Sequence, residues 1–244
     1  MPVQNGELCE AVRHSGCAMD EAKYSSSLCM PPPATNFTHM ASITRLYFKD
    51  ITNLSDARFA AAADADFVGF SFDPASSNYV EPSRMMEMRG WLSGPQIVGN
   101  FNLIAPDELN REIAEYSLEA VEVPYEIYAG YARSVHAPTI MRLKLSALDQ
   151  AGIRHFDGDY LLLHADALFP NWTLTKANRQ LFQLLQDACA QTRCIIDIPA
   201  ETTQLREMVA ALDPYAICLY GGQEQRPGIR EFADMQEKLE ALED

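Results

Sequence analysis

Three observations in this sequence of 244 residues predict an α/β fold, a single-domain (β/α)8 TIM barrel behind an unfolded N-terminal extension. From Thr44 onward, short β-branched or aromatic runs alternate with amphipathic stretches, which implies parallel strands joined by right-handed helical crossovers. Eight such units fit into residues 40–244, near the lower size limit of a closed eight-stranded barrel. Residues 1–39 have neither period and contain the runs Ser25-Ser26-Ser27 and Pro31-Pro32-Pro33, so they read as a disordered extension.

The elements follow in order. Strand one is Arg45–Lys49, and its helix covers Ser55–Ala65, with Ser55 and Asp56 positioned to satisfy the free amides of the first turn. Strand two, Phe67–Phe72, leads to a helix over Pro82–Leu92, where Glu81-Pro82-Ser83 pre-sets the first turn. Ala105-Pro106-Asp107 does the same after strand three, Gln96–Phe101, for the helix Pro106–Tyr116. The fourth unit (Ala120–Val123, then Glu126–Ser134) and the fifth (Thr139–Leu143, then Ser146–Arg154) have the least regular periodicity. Strand six, Tyr160–His164, precedes a long helix over Thr175–Gln191. Strand seven, Arg193–Asp197, precedes a helix over Glu201–Leu212 opened by Thr202-Thr203. Strand eight, Tyr215–Tyr220, and a final helix, Gly228–Leu242, close the chain. The competing arrangement is an open doubly wound sheet.

Composition limits the function. The chain carries 34 acidic against 19 basic side chains and 48% hydrophobic residues. Residues 1–39 hold four of the acids and two of the bases, so 13 of the 15 net negative charges lie in 40–244. An acidic body disfavours nucleic acid and anionic membranes, both of which reward basic surface. No apolar run approaches the roughly 20 residues of a membrane helix, and no secretory core is visible, so a cytoplasmic monomer or homodimer is expected. Met40 is an alternative start. Cys9, Cys17, Cys29, Cys189, Cys194 and Cys218 have no zinc spacing and read as free thiols; Asn36-Phe37-Thr38 reads as a chance sequon. His155-Phe156-Asp157-Gly158-Asp159 reads as a turn rather than a metal site. No metal and no cofactor are expected.

A resemblance sharpens this. Tyr47-Phe48-Lys49-Asp50-Ile51-Thr52-Asn53-Leu54-Ser55-Asp56-Ala57 is similar to the first strand and helix of the phosphoribosylanthranilate isomerase family, which reads Lys-Ile-Cys-Gly-Ile-Thr and then Asn-Leu/Glu-Asp-Ala. Val68-Gly69-Phe70-Ser71-Phe72 and Pro74-Ala75-Ser76-Ser77-Asn78-Tyr79-Val80-Glu81-Pro82 follow without a gap. Val98-Gly99-Asn100-Phe101, Ala120-Val121-Glu122-Val123 and Gly221-Gly222-Gln223-Glu224 resemble later family segments. The resemblance implies a barrel that converts an aminoaldose phosphate into an aminoketose in tryptophan biosynthesis, without a cofactor. A general acid opens the sugar ring and a general base takes its C2 proton. The ligand it implies is a phosphosugar-type small molecule.

At the positions that carry this chemistry the residues differ. Lys49 stands at the family's catalytic cysteine and Asp50 at the glycine after it; His164 stands at the catalytic aspartate. Asn78 replaces the arginine that clamps the substrate carboxylate. Asp197-Ile198-Pro199 replaces one phosphate loop, while Gly221 and Gly222 keep the small residues that let amides approach an anion. Two readings follow. In one, a desolvated Lys49 with a lowered pKa and His164 replace the base and acid. In the other, the barrel is noncatalytic or repurposed and binds a partner or metabolite. Lys49, Asn78 and Asp197 are then solvated rim residues; the structural alternatives for the two catalytic candidates are Lys49 neutralised by Asp50 or Asp73 and His164 hydrogen-bonded to Asp166.

Overall fold

Strand pairing runs in chain order around a closed ring. The computed structural model describes residues 44–226 and 229–243. The extension over 1–39, with its three cysteines and its sequon, lies outside the described residues. Eight parallel strands form the barrel: β1 (Arg45–Lys49), β2 (Phe67–Ser71), β3 (Gln96–Asn100), β4 (Ala120–Pro124), β5 (Thr139–Lys144), β6 (Tyr160–His164), β7 (Cys194–Asp197) and β8 (Ala216–Tyr220). β8 closes the ring on β1 from Arg45 opposite Ala216 to Lys49 opposite Tyr220. The open-sheet alternative is therefore excluded.

The helices follow the strands, with local departures that have local causes. α1 (Leu54–Ala62) is capped by Asn53, whose side chain accepts from the Asp56 amide at 3.0 Å, rather than by Ser55. α2 (Pro82–Arg89) and α3 (Pro106–Tyr116) open on their prolines as expected. The fourth helix shrinks to one turn, α4 (Tyr125–Tyr128): Ala129 leaves the helical region with ψ 121°, and Gly130 follows with a left-handed φ of 87°. α5 (Gln150–Arg154) is likewise short and capped by Asp149. The helix read over Thr175–Gln191 is two, α6 (Trp172–Ala177) and α7 (Arg179–Gln191). Asn178 leaves the helical region and caps the second by accepting from the Leu181 amide. α8 (Thr202–Leu212) starts with a reciprocal capping box between Glu201 and Gln204. The final stretch, Gly228–Leu242, is not one helix. β9 (Gln223–Arg226) and β10 (Ile229–Glu231) form an antiparallel pair before α9 (Ala233–Glu243).

Alternation along the strands divides the core in two. Outward residues such as Phe48, Val68, Phe70, Leu161 and Ile196 pack against the helices. Inward residues, among them Tyr47, Phe67, Val98, Ile140, Leu162 and Ile195, fill the barrel itself with a dry layer. Among the described residues no helix is long and apolar enough to cross a membrane.

Candidate functional site

Two residues beyond that dry layer, about 6.6 Å further toward the C-terminal mouth, the inward positions turn polar on seven of the strands, and on β2 they do so four residues beyond Phe67, after Gly69. They are Lys49, Ser71, Asn100, Glu122, Arg142, His164, Asp197 and Tyr220. This is the end of a (β/α)8 barrel where ligands bind.

Glu122 is the centre of the layer and is wholly buried. It accepts from the Tyr47 hydroxyl at 2.9 Å, pairs with Lys49 Nζ at 2.8 Å and pairs with Arg142 Nη1 at 2.6 Å. Lys49, itself 6% exposed, reaches Asp197 at 3.4 Å, and the Tyr220 hydroxyl donates to Asp197 at 2.7 Å. Arg142 also bonds the Asn102 side chain, which bonds Asp73. A continuous chain of polar contacts thus crosses the mouth from Asp73 to Tyr220.

These contacts set the protonation states. Burial pulls the Lys49 ammonium down, but the Glu122 and Asp197 carboxylates outweigh it and hold the group above the ordinary lysine value. Lys49 is therefore a fixed cation, the opposite of the lowered pKa that a lysine base requires. Burial pushes Glu122 up, yet Lys49 and Arg142 together keep it below the usual glutamate value. The His164 imidazole is pushed down by burial, against the pull of its hydrogen bond to the Ala165 carbonyl, so it is neutral at pH 7. Asp50 is pushed up, first by burial.

The residues singled out in the sequence come together only in part. Lys49 joins the central network, through Glu122 and Asp197 rather than through Asp50 or Asp73, and both Lys49 and Asp197 are buried by those contacts rather than standing as solvated rim residues. His164 lies beside Asp197 in the β6–β7 register, and its Nδ1 is 3.0 Å from the Ala165 carbonyl, not on Asp166. Asp166 instead accepts from the Ser146 and Leu168 amides. Asp50 occupies a left-handed φ of 56°, which accounts for the family's glycine there. Asn78 turns its amide onto Asp50 at 3.3 Å.

Gly221 and Gly222 line a cavity of about 940 Å3 beside the mouth, between the ends of β7 and β8 and the helices α8 and α9. The described part of its wall also carries Asp197, Glu201, Asp234 and Glu237, with one cation, Lys238. The Gly222 amide donates to the chain's own Asp56 carboxylate at 3.3 Å, and a Cβ on Gly221 would lie 2.2 Å from that carboxylate. Cys189, Cys194 and Cys218 are free thiols, and no group of three or more ligating side chains among the described residues is arranged for a metal.

Sequence reasoning missed Glu122, Arg142, Asn100 and Tyr220 as site residues. A signal existed for each: a polar side chain two residues after an apolar inward position, on a strand whose parity fixes its direction.

No family model matches the chain. Curated relatives do. The chain is 26% identical over 211 residues to the N-(5'-phosphoribosyl)anthranilate isomerase of Syntrophus aciditrophicus, covering 82% of this chain and 87% of that protein. It is 28% identical over 210 residues to the protein of the same name from Geobacter sulfurreducens, covering 80% and 96%. In fold, it superposes on the phosphoribosyl anthranilate isomerase of Thermus thermophilus with a TM-score of 0.67 at 24% identity, covering 82% of this chain and 98% of that one. The Thermotoga maritima enzyme gives 0.66 at 20% identity, with the same coverage. In sequence over most of its length and in the architecture of its barrel, this chain is phosphoribosylanthranilate-isomerase-like.

Proposed function

We propose that this barrel has given up the family's isomerisation and holds a different small polar ligand in its mouth. The observation that carries this reading is the Lys49–Glu122–Asp197 contact. The family's reaction, as the resemblance implies it, needs a proton acceptor where Lys49 stands. An ammonium held by two buried carboxylates has no lone pair to offer. The surroundings agree: Asn78 bonds Asp50 where a carboxylate clamp is expected, and Asp197 brings negative charge to the phosphate side. The same reading treats residues 1–39 as an extension outside the barrel, and takes neither nucleic acid nor membrane as a partner.

A second reading, an active aminosugar isomerase, is favoured by one observation. His164 is neutral, half-buried and at the strand end where the resemblance puts the family's acid. Both readings are decided by incubating the full chain with freshly made phosphoribosylanthranilate and following the loss of its fluorescence. The expected result is no loss above the uncatalysed rate. Turnover that disappears in His164→Ala would overturn the first reading and establish the second.

A further inference from the structure

We infer that the ligand of this mouth carries a protonated amine, with Asp50 as its counter-ion. The inference rests on the reading that the mouth has given up the family's anionic substrate, and it names the ligand class for that same site.

The charges of the mouth do not balance. Lys49 and Arg142 supply two cations; Glu122, Asp197 and Asp50 supply three carboxylates. Both cations bond Glu122, and Lys49 also reaches Asp197. Among the described residues no cation pairs with Asp50. Its contacts are two neutral amides at long range, Asn78 Nδ2 at 3.3 Å and Asn100 Nδ2 at 3.5 Å. Lys49 acts on it only through space, so this half-buried carboxylate lacks the direct ion pair that its two neighbours have.

The hydrogen-bonding capacity of the mouth has the same bias. The charged donors and the phenols are already aimed at protein acceptors: Lys49 and Arg142 as above, and the Tyr47 and Tyr220 hydroxyls on Glu122 and Asp197. Acceptors remain. A carbonyl only accepts, so the His164 nitrogen 3.0 Å from the Ala165 oxygen carries the hydrogen, which leaves Nε2 with a lone pair. The downward push on the imidazole keeps that lone pair free at pH 7. An ammonium brings three donors and one positive charge. A phosphate or carboxylate would bring more acceptors and add to the excess of negative charge.

The test is isothermal titration of the full chain at pH 7 and low ionic strength. The probes are glucosamine, its uncharged counterpart N-acetylglucosamine, and the anion ribose 5-phosphate. The expected result is saturable binding of glucosamine, at least tenfold tighter than N-acetylglucosamine, and no binding of ribose 5-phosphate. Asp50→Asn and Asp50→Gly, the second of which relaxes the left-handed backbone, should each weaken glucosamine at least tenfold, with a thermal transition no lower than the parent's. Equal or absent binding of the two sugars overturns the inference, as does amine binding that survives both substitutions. Either of those results, with phosphoribosylanthranilate still unreacted, removes only the amine inference. Preferred binding of ribose 5-phosphate would remove the preceding reading as well.

Discussion

The dry layer and the polar layer of the barrel interior come from the same eight strands, two residues apart on all but β2, yet opposite forces hold them. In the dry layer Phe67 meets Tyr47 and Tyr160 edge-on, with ring centroids 5.9 and 5.5 Å apart, and stability grows with each apolar group removed from water. In the polar layer no group is stable alone. Burial of Glu122 is offset by the three donors that converge on it, and it is the shared counter-ion of two of them, although each has one further partner, Asn100, Asp197 or Asn102. Tyr47 joins the two, with its ring in the first layer and its hydroxyl in the second. The difference teaches that substitutions in the lower layer have graded effects, whereas a single loss in the upper layer strands its partners.

The largest expected effect tests that asymmetry. Glu122→Ala leaves Lys49 and Arg142 buried without their shared counter-ion and should cost about 3–5 kcal/mol in urea unfolding. Ile140→Val, in the dry layer of the adjacent strand, should cost about 0.5–1.5 kcal/mol. Equal costs would show that the ion network adds no cooperativity of its own. A smaller effect is expected where the layers join. A Cβ on Gly69 would lie 2.5 Å from the Tyr47 hydroxyl oxygen and 2.9 Å from its ring. Gly69→Ala should therefore cost about 1–3 kcal/mol through overpacking. Removing the hydroxyl relieves the nearest clash, so Gly69→Ala should cost less in a Tyr47→Phe background than in the parent. A double-mutant cycle with no coupling would mean that the alanine is accommodated elsewhere.

These layers also mark how far the sequence could be read. All eight strands were legible within a residue or so, because β-branched runs and parity are local signals. Lys49, Asp50 and His164 were legible as mouth residues because strand ends fall there. Their partners were not. Glu122 pairs with Lys49 across 73 positions and Asp197 across 148, and no local pattern encodes which inward polar groups meet inside a ring. The predicted state of Lys49 failed for the same reason: its pKa depends on β4 and β7, not on Asp50 beside it. Helix ends in the fourth and sixth units were missed where one or two residues, Ala129 with Gly130 and Asn178, leave the helical backbone region.

The smallest expected effect separates Asp50 from its compensated neighbours. Burial, with Glu122 and Asp197 adding to it, raises Asp50 above 3.8 in the folded chain, against the opposing pull of Lys49 and Asn78. A carboxyl with a raised folded pKa binds its proton more tightly in the folded state. It costs nothing below the unfolded value and destabilises increasingly as pH rises through the folded one. Glu122 has the opposite sign: its depressed pKa supplies stability at neutral pH that is lost as pH falls through the folded value. Asp50→Asn keeps a side chain that tolerates the left-handed backbone and removes the charge. It should be more stable than the parent by about 0.5–1 kcal/mol at pH 7, with the gain shrinking toward zero as urea unfolding is repeated down to pH 3.5. A gain that is independent of pH would trace to hydrogen bonding instead. A gain that follows pH would mean that the mouth retains an uncompensated charge at the expense of stability, as expected of a group kept for a ligand rather than for the fold.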